Sequence, residues 1–203
     1  MQVKDMFLRN EKSLFIFFLI IYCLFSLKVY SATDGKTKAL NYLHSLKHFS
    51  ASFLQSDGEA LSEGKVYIGE ERVRAEYFLP SKILIILDEN KAMYYNYELE
   101  EDEFFNPKDT NAWFFYDIFR NPIFFKDGIM EVQDKELVIK KRGIDNEGRN
   151  YLIKIFFEES PLMLRRIEIS FDDNFLKLSI FNHTYNESFD KQFFKLINPK
   201  LLN

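Results

Sequence analysis

GKVYIGEERVRAEYFLPSKILIILDENKAMYYNY, residues 64–97, decides the fold. It holds four strand-like runs, GKVYIG (64–69), RVRAEYFL (72–79), KILIILD (82–88) and KAMYYNY (91–97), broken by Gly, Pro or Asp-Glu-Asn. Steps of about 8–12 residues with no crossover helix between them indicate an antiparallel meander. Upstream, Phe49, Ala51, Phe53 and Gln55 alternate with Ser50, Ser52, Leu54 and Ser56, which is strand spacing. Downstream, the same character returns in GIMEVQ (128–133), ELVIKKR (136–142), YLIKIFFE (151–158), LRRIEISF (164–171) and FLKLSIFN (175–182), with a last short run FFKLI (193–197). About eleven strands are too many for a flat open sheet, which then curls or closes. The expected fold is mainly β, an unclosed antiparallel barrel with helices against a hydrophobic concave face.

Two segments break the strand period. In KTKALNYLHSLK (36–47), Leu40, Leu43 and Leu46 share a helical face, the pattern of an amphipathic helix lying on something apolar. In DTNAWFFYDIFRNP (109–122) the spacing predicts a short helix, capped by Asp109 or Thr110 and stopped by Pro122. Phe114, Phe115, Ile118 and Phe119 fall on one side of it, and Trp113, Asp117 and Arg120 on another. Such an aromatic face is either a permanent plug of the core or a removable lid over it. The acidic run from Glu98 to Glu103 reads as a solvated loop.

Residues 1–32 differ in kind. Lys4, Arg9 and Lys12 precede an uncharged run from Leu14 to Leu27, too short to span a bilayer, which needs about 20 residues. This is the pattern of a secretory signal, with cleavage after Ser31 or Ala32. An uncleaved anchor is the competing reading. Cys23, the one cysteine, follows Tyr22 and so lacks the small neighbour of an acylation signal; it belongs to the leader. The remaining 33–203 segment reads as a single domain without disulfides. Losing the leader takes the formal charge from −4 to −6, which argues against a nucleic-acid partner.

Catalytic chemistry has no visible constellation. His44 and His48 have the spacing of a helical metal pair but lack the acid of a zinc protease motif and a third ligand. Ser62, Ser81 and Ser160 lack a nucleophile-elbow context, and the seven glycines form no phosphate loop. The expectation is a non-enzyme with no metal and no cofactor.

Several stretches, taken in order, are similar to the periplasmic outer-membrane lipoprotein carrier family, the LolA type. They are LKHFSASFLQ (46–55), EGKVYIGEERVRAEYFLP (63–80), KILIILDENKAMYYNYELEE (82–101), PLMLRRIEISFDDNFLKLSIFN (161–182) and SFDKQFFKLINP (188–199). The chain departs from that pattern at Ala75, where many members have Trp, and at Gly69-Glu70-Glu71, where an Arg-Pro is common. The missing Arg is the one that helps to hold the lid shut in the best-known members. Arg72 or Arg74 is the expected substitute.

The resemblance implies a monomeric periplasmic chaperone. It would take acylated lipoproteins from an inner-membrane release transporter to an outer-membrane receptor. Its acyl-chain cavity and lid would be formed by Phe49, Phe53, Val66, Ile68, Val73, Tyr77, Tyr95, Trp113, Phe114, Phe115, Ile118 and Phe119. A carrier of another amphiphilic lipid or glycolipid on the same scaffold is the alternative. Aromatic side chains suit either cargo, because they offer apolar area without demanding polar partners.

Overall fold

Strand register organises the molecule. In a computed structural model, which describes residues 32–172 and 174–202, the described residues form eleven strands in one sheet. These are β1 (Phe49–Ser56), β2 (Leu61–Ile68), β3 (Val73–Leu79), β4 (Ile83–Leu87), β5 (Ala92–Asn96), β6 (Glu101–Phe105), β7 (Ile129–Gln133), β8 (Glu136–Ile144), β9 (Asn150–Glu159), β10 (Leu162–Phe171) and β11 (Asn174–Thr184). The leader and Cys23 lie outside the described residues. Among the described residues, no helix is long and apolar enough to cross a membrane.

The strand order is β6-β5-β4-β3-β2-β1-β11-β10-β9-β8-β7, and the pairings are antiparallel. The chain therefore runs out from β1 to one edge, crosses once to the other, and meanders back to pair β11 with β1. The two edges, β6 and β7, do not pair, so the sheet stays open. Residues 106–128 make the single crossing, and they contain the aromatic block.

The strand count meets the expectation, but its membership differs. Of the acidic run read as a solvated loop, Glu98 and Glu100 do lie in an exposed turn, but Glu101, Asp102 and Glu103 form the start of β6, an exposed edge. FFKLI forms no strand; it lies within a C-terminal segment of turns ending in a 3-10 turn at Pro199–Leu202. Its Phe193 and Leu196 pack side-on against the sheet instead of pairing with a strand. The helix at the start, α1 (Ala32–Ser45), buries Ala39 and Leu43, and Leu46 follows just beyond it. The central helix is shorter than expected: α2 (Trp113–Arg120) begins at Ala112 without a side-chain cap. Residues Pro107–Asp109 form a separate 3-10 turn before it.

Alternation along the strands sorts side chains onto two faces. The inner face carries the main core, including Phe53, Ile68, Val73, Ile153, Phe157 and Ile180, with α1 and α2 against it. A smaller cluster of Leu84, Ile86, Met93 and Tyr95 sits apart, with Leu196 of the C-terminal segment packed on it. Both faces of β4 and β5 are thus apolar, which accounts for their unbroken hydrophobic runs.

Candidate functional site

Between the inner face and α2 lies a cavity of about 210 Å³. Its walls come from β1 (Phe53, Gln55), β2 (Val66), β3 (Val73, Ala75, Tyr77), β4 (Ile85, Leu87) and β11 (Leu176, Leu178), and its roof from Asn111, Ala112, Phe115 and Phe119. The wall exists because alternate residues of these strands are apolar and of moderate size. Ala75 contributes only a methyl group to this wall, which leaves room beneath the helix.

Space is also made at Gly64. A Cβ there would stand 2.2 Å from the Glu76 carbonyl and 2.5 Å from the Phe53 ring, so glycine lets Phe53 lie flat against β2. Phe53 meets Tyr77 edge-on at 5.0 Å, and the Tyr77 hydroxyl donates to Gln55 Oε1 at 2.8 Å. Burial pushes the Tyr77 hydroxyl up to about 12, so it remains a neutral donor.

Six of the expected cavity residues line this space: Phe53, Val66, Val73, Tyr77, Phe115 and Phe119. Phe49, Ile68, Phe114 and Ile118 belong to the same core but sit beside the cavity, within solid packing. Phe114, for example, packs against Tyr151 and Phe171 at 5.0 and 4.9 Å. Trp113 is half-buried and faces a second, charged groove of about 510 Å³ with Asp117, Glu89 and Lys108. Burial holds the Asp117 carboxyl above its ordinary range there, an effect that Asn121 partly offsets by donating to it. Tyr95 departs from its expected place, because its position in β5 directs it to the other face.

The roof is fastened by polar contacts near its ends. Before α2, Arg149 Nη2 donates to Asn111 Oδ1 at 3.0 Å. After it, Lys36 of α1 donates to the Lys126 carbonyl at 2.6 Å. At the C-terminal end of α2, Arg120 Nη1 donates to the Gly69 and Glu70 carbonyls, both at 3.0 Å, and Nη2 donates to the Leu46 carbonyl. One guanidinium thereby joins α2, the β2–β3 turn and the end of α1. Its fork of donors suits three carbonyls at once, which an ammonium could not span.

Arg72 and Arg74, expected as latches, point the other way. Arg72 pairs with Asp88 at 2.7 Å and donates to the Phe194 carbonyl at 3.0 Å. Arg74 donates to the Phe193 carbonyl at 2.6 Å and lies 4.2 Å from the Phe193 ring centre. Both hold the C-terminal segment on the outer face. That segment also backs the elements that receive Arg120. The Phe194 ring would stand 3.0 Å from a Cβ on Gly69, and Glu187 donates its backbone N–H to the His48 carbonyl at 2.7 Å. His48 is exposed, 3.6 Å from Glu70 and stacked on Phe189 with ring centres 6.1 Å apart.

Arg120, Leu176, Leu178, Gln55 and Asn111 were not among the residues expected to form the site. The alternation of FLKLSIF places Leu176 and Leu178 on one face, so that signal was available. Arg120 gave none, because its partners are backbone carbonyls distant in sequence.

No protein-family model matches the chain. An uncharacterized protein of Rickettsia prowazekii (strain Madrid E) is 25% identical over 203 residues, covering 95% of this chain and 91% of that one. Among solved structures, an uncharacterized conserved protein from Thermus thermophilus superposes with a TM-score of 0.55 at 10% identity, over 83% of this chain and 96% of that one. That likeness shows a shared fold. A MucA/MucB complex of Pseudomonas aeruginosa is more distant, with a TM-score of 0.47 at 8% identity over 79% of this chain and 60% of the other.

Proposed function

We propose that this chain is a non-enzymatic carrier that holds the acyl tails of its cargo between the sheet and α2. The observation that carries this reading is an apolar cavity roofed by a helix that is tethered to both sheet edges and latched by Arg120. The space beneath the helix is what sets it apart from one that only fills the core.

The energetics suit a cover that yields to cargo. Phe114, Ile118 and Phe119 are the buried side chains of α2, each worth about 1.5–3 kcal/mol, or about 5–9 kcal/mol together. A buried methylene returns about 0.8 kcal/mol, so roughly six to eleven methylenes offset the apolar cost of lifting the helix, and the Arg120 bonds raise that by about four. A long acyl chain exceeds that, whereas a short one does not. Competition between the helix and the cargo lowers apparent affinity, which permits later release.

The resemblance in sequence supports the finer reading. The cargo would be acylated lipoproteins, collected from an inner-membrane release transporter and handed to an outer-membrane receptor by a monomer in the periplasm. The decisive experiment is mass spectrometry of the protein purified from its host, followed by transfer of the co-purified cargo to acceptor membranes. Recovery of lipid-modified N-terminal peptides is the expected result, and a protein that retains no acylated molecule refutes the reading. The cavity volume favours one second reading. About 150 Å³ is enough for one benzene, so 210 Å³ holds roughly eight carbons, the tail of a small single-chain amphiphile.

A further inference from the structure

The cavity is polar at one end only. Gln55 lies near the end of β1 and Tyr77 near the end of β3, and the registers of β1 with β2 and of β2 with β3 bring these ends together. Leu176, near the start of β11, and Asn111, just before α2, complete that end. The opposite end holds Val73, Leu87 and Phe119, close to the turn that receives Arg120.

Both amide oxygens at the polar end are engaged. Gln55 Oε1 accepts from Tyr77 and Asn111 Oδ1 accepts from Arg149. Asn111 is exposed, so Gln55 is the amide that stays with the cavity wall, and its NH₂ suits a ligand that presents an acceptor. The neighbouring cation, Arg149, is paired with Asp145 and Glu147 at 2.7 and 3.2 Å. That end therefore offers no unpaired positive charge to a carboxylate.

We infer that the cavity takes a single acyl tail with its carbonyl oxygen at the Gln55–Tyr77 pair, and that it selects esterified or amide-linked chains over free fatty acids. This rests on the carrier reading and deepens it by naming the linkage recognised.

The test compares methyl heptanoate, heptanoate and octane as competitors of bound N-phenylnaphthylamine, on the parent protein and on Q55L/Y77F. The double substitution removes both polar side chains together, so no orphaned hydroxyl remains, and thermal melting checks the fold. The parent is expected to prefer the ester over octane by about three- to tenfold, and over heptanoate by at least as much. In Q55L/Y77F, the ester and octane should bind within about twofold of each other. Equal binding of ester and octane by the parent, or a preference that survives the double substitution, overturns the inference and leaves the carrier reading intact. Heptanoate binding as tightly as the ester overturns the selection against free acids. If none of the three competes, the inference falls, and the carrier reading is then decided by the co-purified cargo alone.

Discussion

Replacing Arg120 by Ala should turn a tight cover into a loose one. The guanidinium makes three hydrogen bonds to backbone carbonyls of Leu46, Gly69 and Glu70. Those carbonyls regain water when the cover lifts, so about 1 kcal/mol per bond is a fair net value, or about 3 kcal/mol in all. Since about 1.4 kcal/mol is tenfold, apparent affinity for a long-chain ligand should rise roughly a hundredfold. At about 0.8 kcal/mol per methylene, the shortest chain able to displace α2 should shorten by about four carbons. Trp113, at the start of α2, is the sole tryptophan and reports the movement directly. The assay is its fluorescence during titration with fatty-acid methyl esters of increasing length, on the parent and on R120A. R120K is the informative control, because an ammonium retains the charge but cannot span three acceptors. A cooperatively folded R120A with unchanged affinity and an unchanged length threshold would refute the latch.

Other outcomes follow from the same geometry. Phe115 roofs the cavity without being fully buried, so F115D should lower acyl-ligand affinity at least about tenfold while thermal melting shows a folded sheet. G64A should cost about 2–3 kcal/mol in denaturant titration, because its Cβ meets the Glu76 backbone. G58A meets open space, so only its φ of +101° opposes the change, and about 1 kcal/mol should be lost. F194A, on the outer face, should raise ligand affinity several-fold by loosening the turn that receives Arg120; unchanged affinity in a folded protein would separate the two faces. Burial holds the His183 imidazole below its ordinary 6.5, so the unfolded chain binds the extra proton first and stability should fall as pH drops through 6.5. H183Q should flatten that slope in melts run across the range.

The fold was legible in the sequence because the meander is local. Each hairpin between β1 and β5 is written in a short turn and two periodic runs. The site was half legible for the same reason, since Phe53, Val66, Val73 and Tyr77 fall on one face by alternation alone. Legibility ended at β4 and β5, where hydrophobic residues occupy both faces and parity no longer says which is inner; Tyr95 was misplaced there. It ended again at β6, where an acidic run pairs with β5 as an exposed edge despite its composition. Backbone-mediated contacts were invisible altogether. An arginine that binds carbonyls leaves no complementary residue to find, and so Arg120 was placed on a helix face without a role while Arg72 and Arg74 drew attention.

On the proposed reading, Arg120 also shapes the open state. Because the cation sits on α2 and its acceptors are carbonyls of the β2–β3 turn and the end of α1, lifting the helix carries the charge into water and leaves neutral groups behind. Those carbonyls are easily hydrated, so the open state keeps no buried charge, whose desolvation would oppose opening. The acceptors are held in place from behind instead, by Phe194 against Gly69 and by the bond from Glu187 to the His48 carbonyl. The β2–β3 turn is therefore clasped on both faces, by the cover within and by the C-terminal segment without. Arg72 joins the two arrangements, since its backbone carbonyl accepts from Gly69 N–H while its guanidinium holds Phe194. The contacts of Arg120 and those of the C-terminal segment thus meet at one turn, and F194A measures whether loosening one face loosens the other.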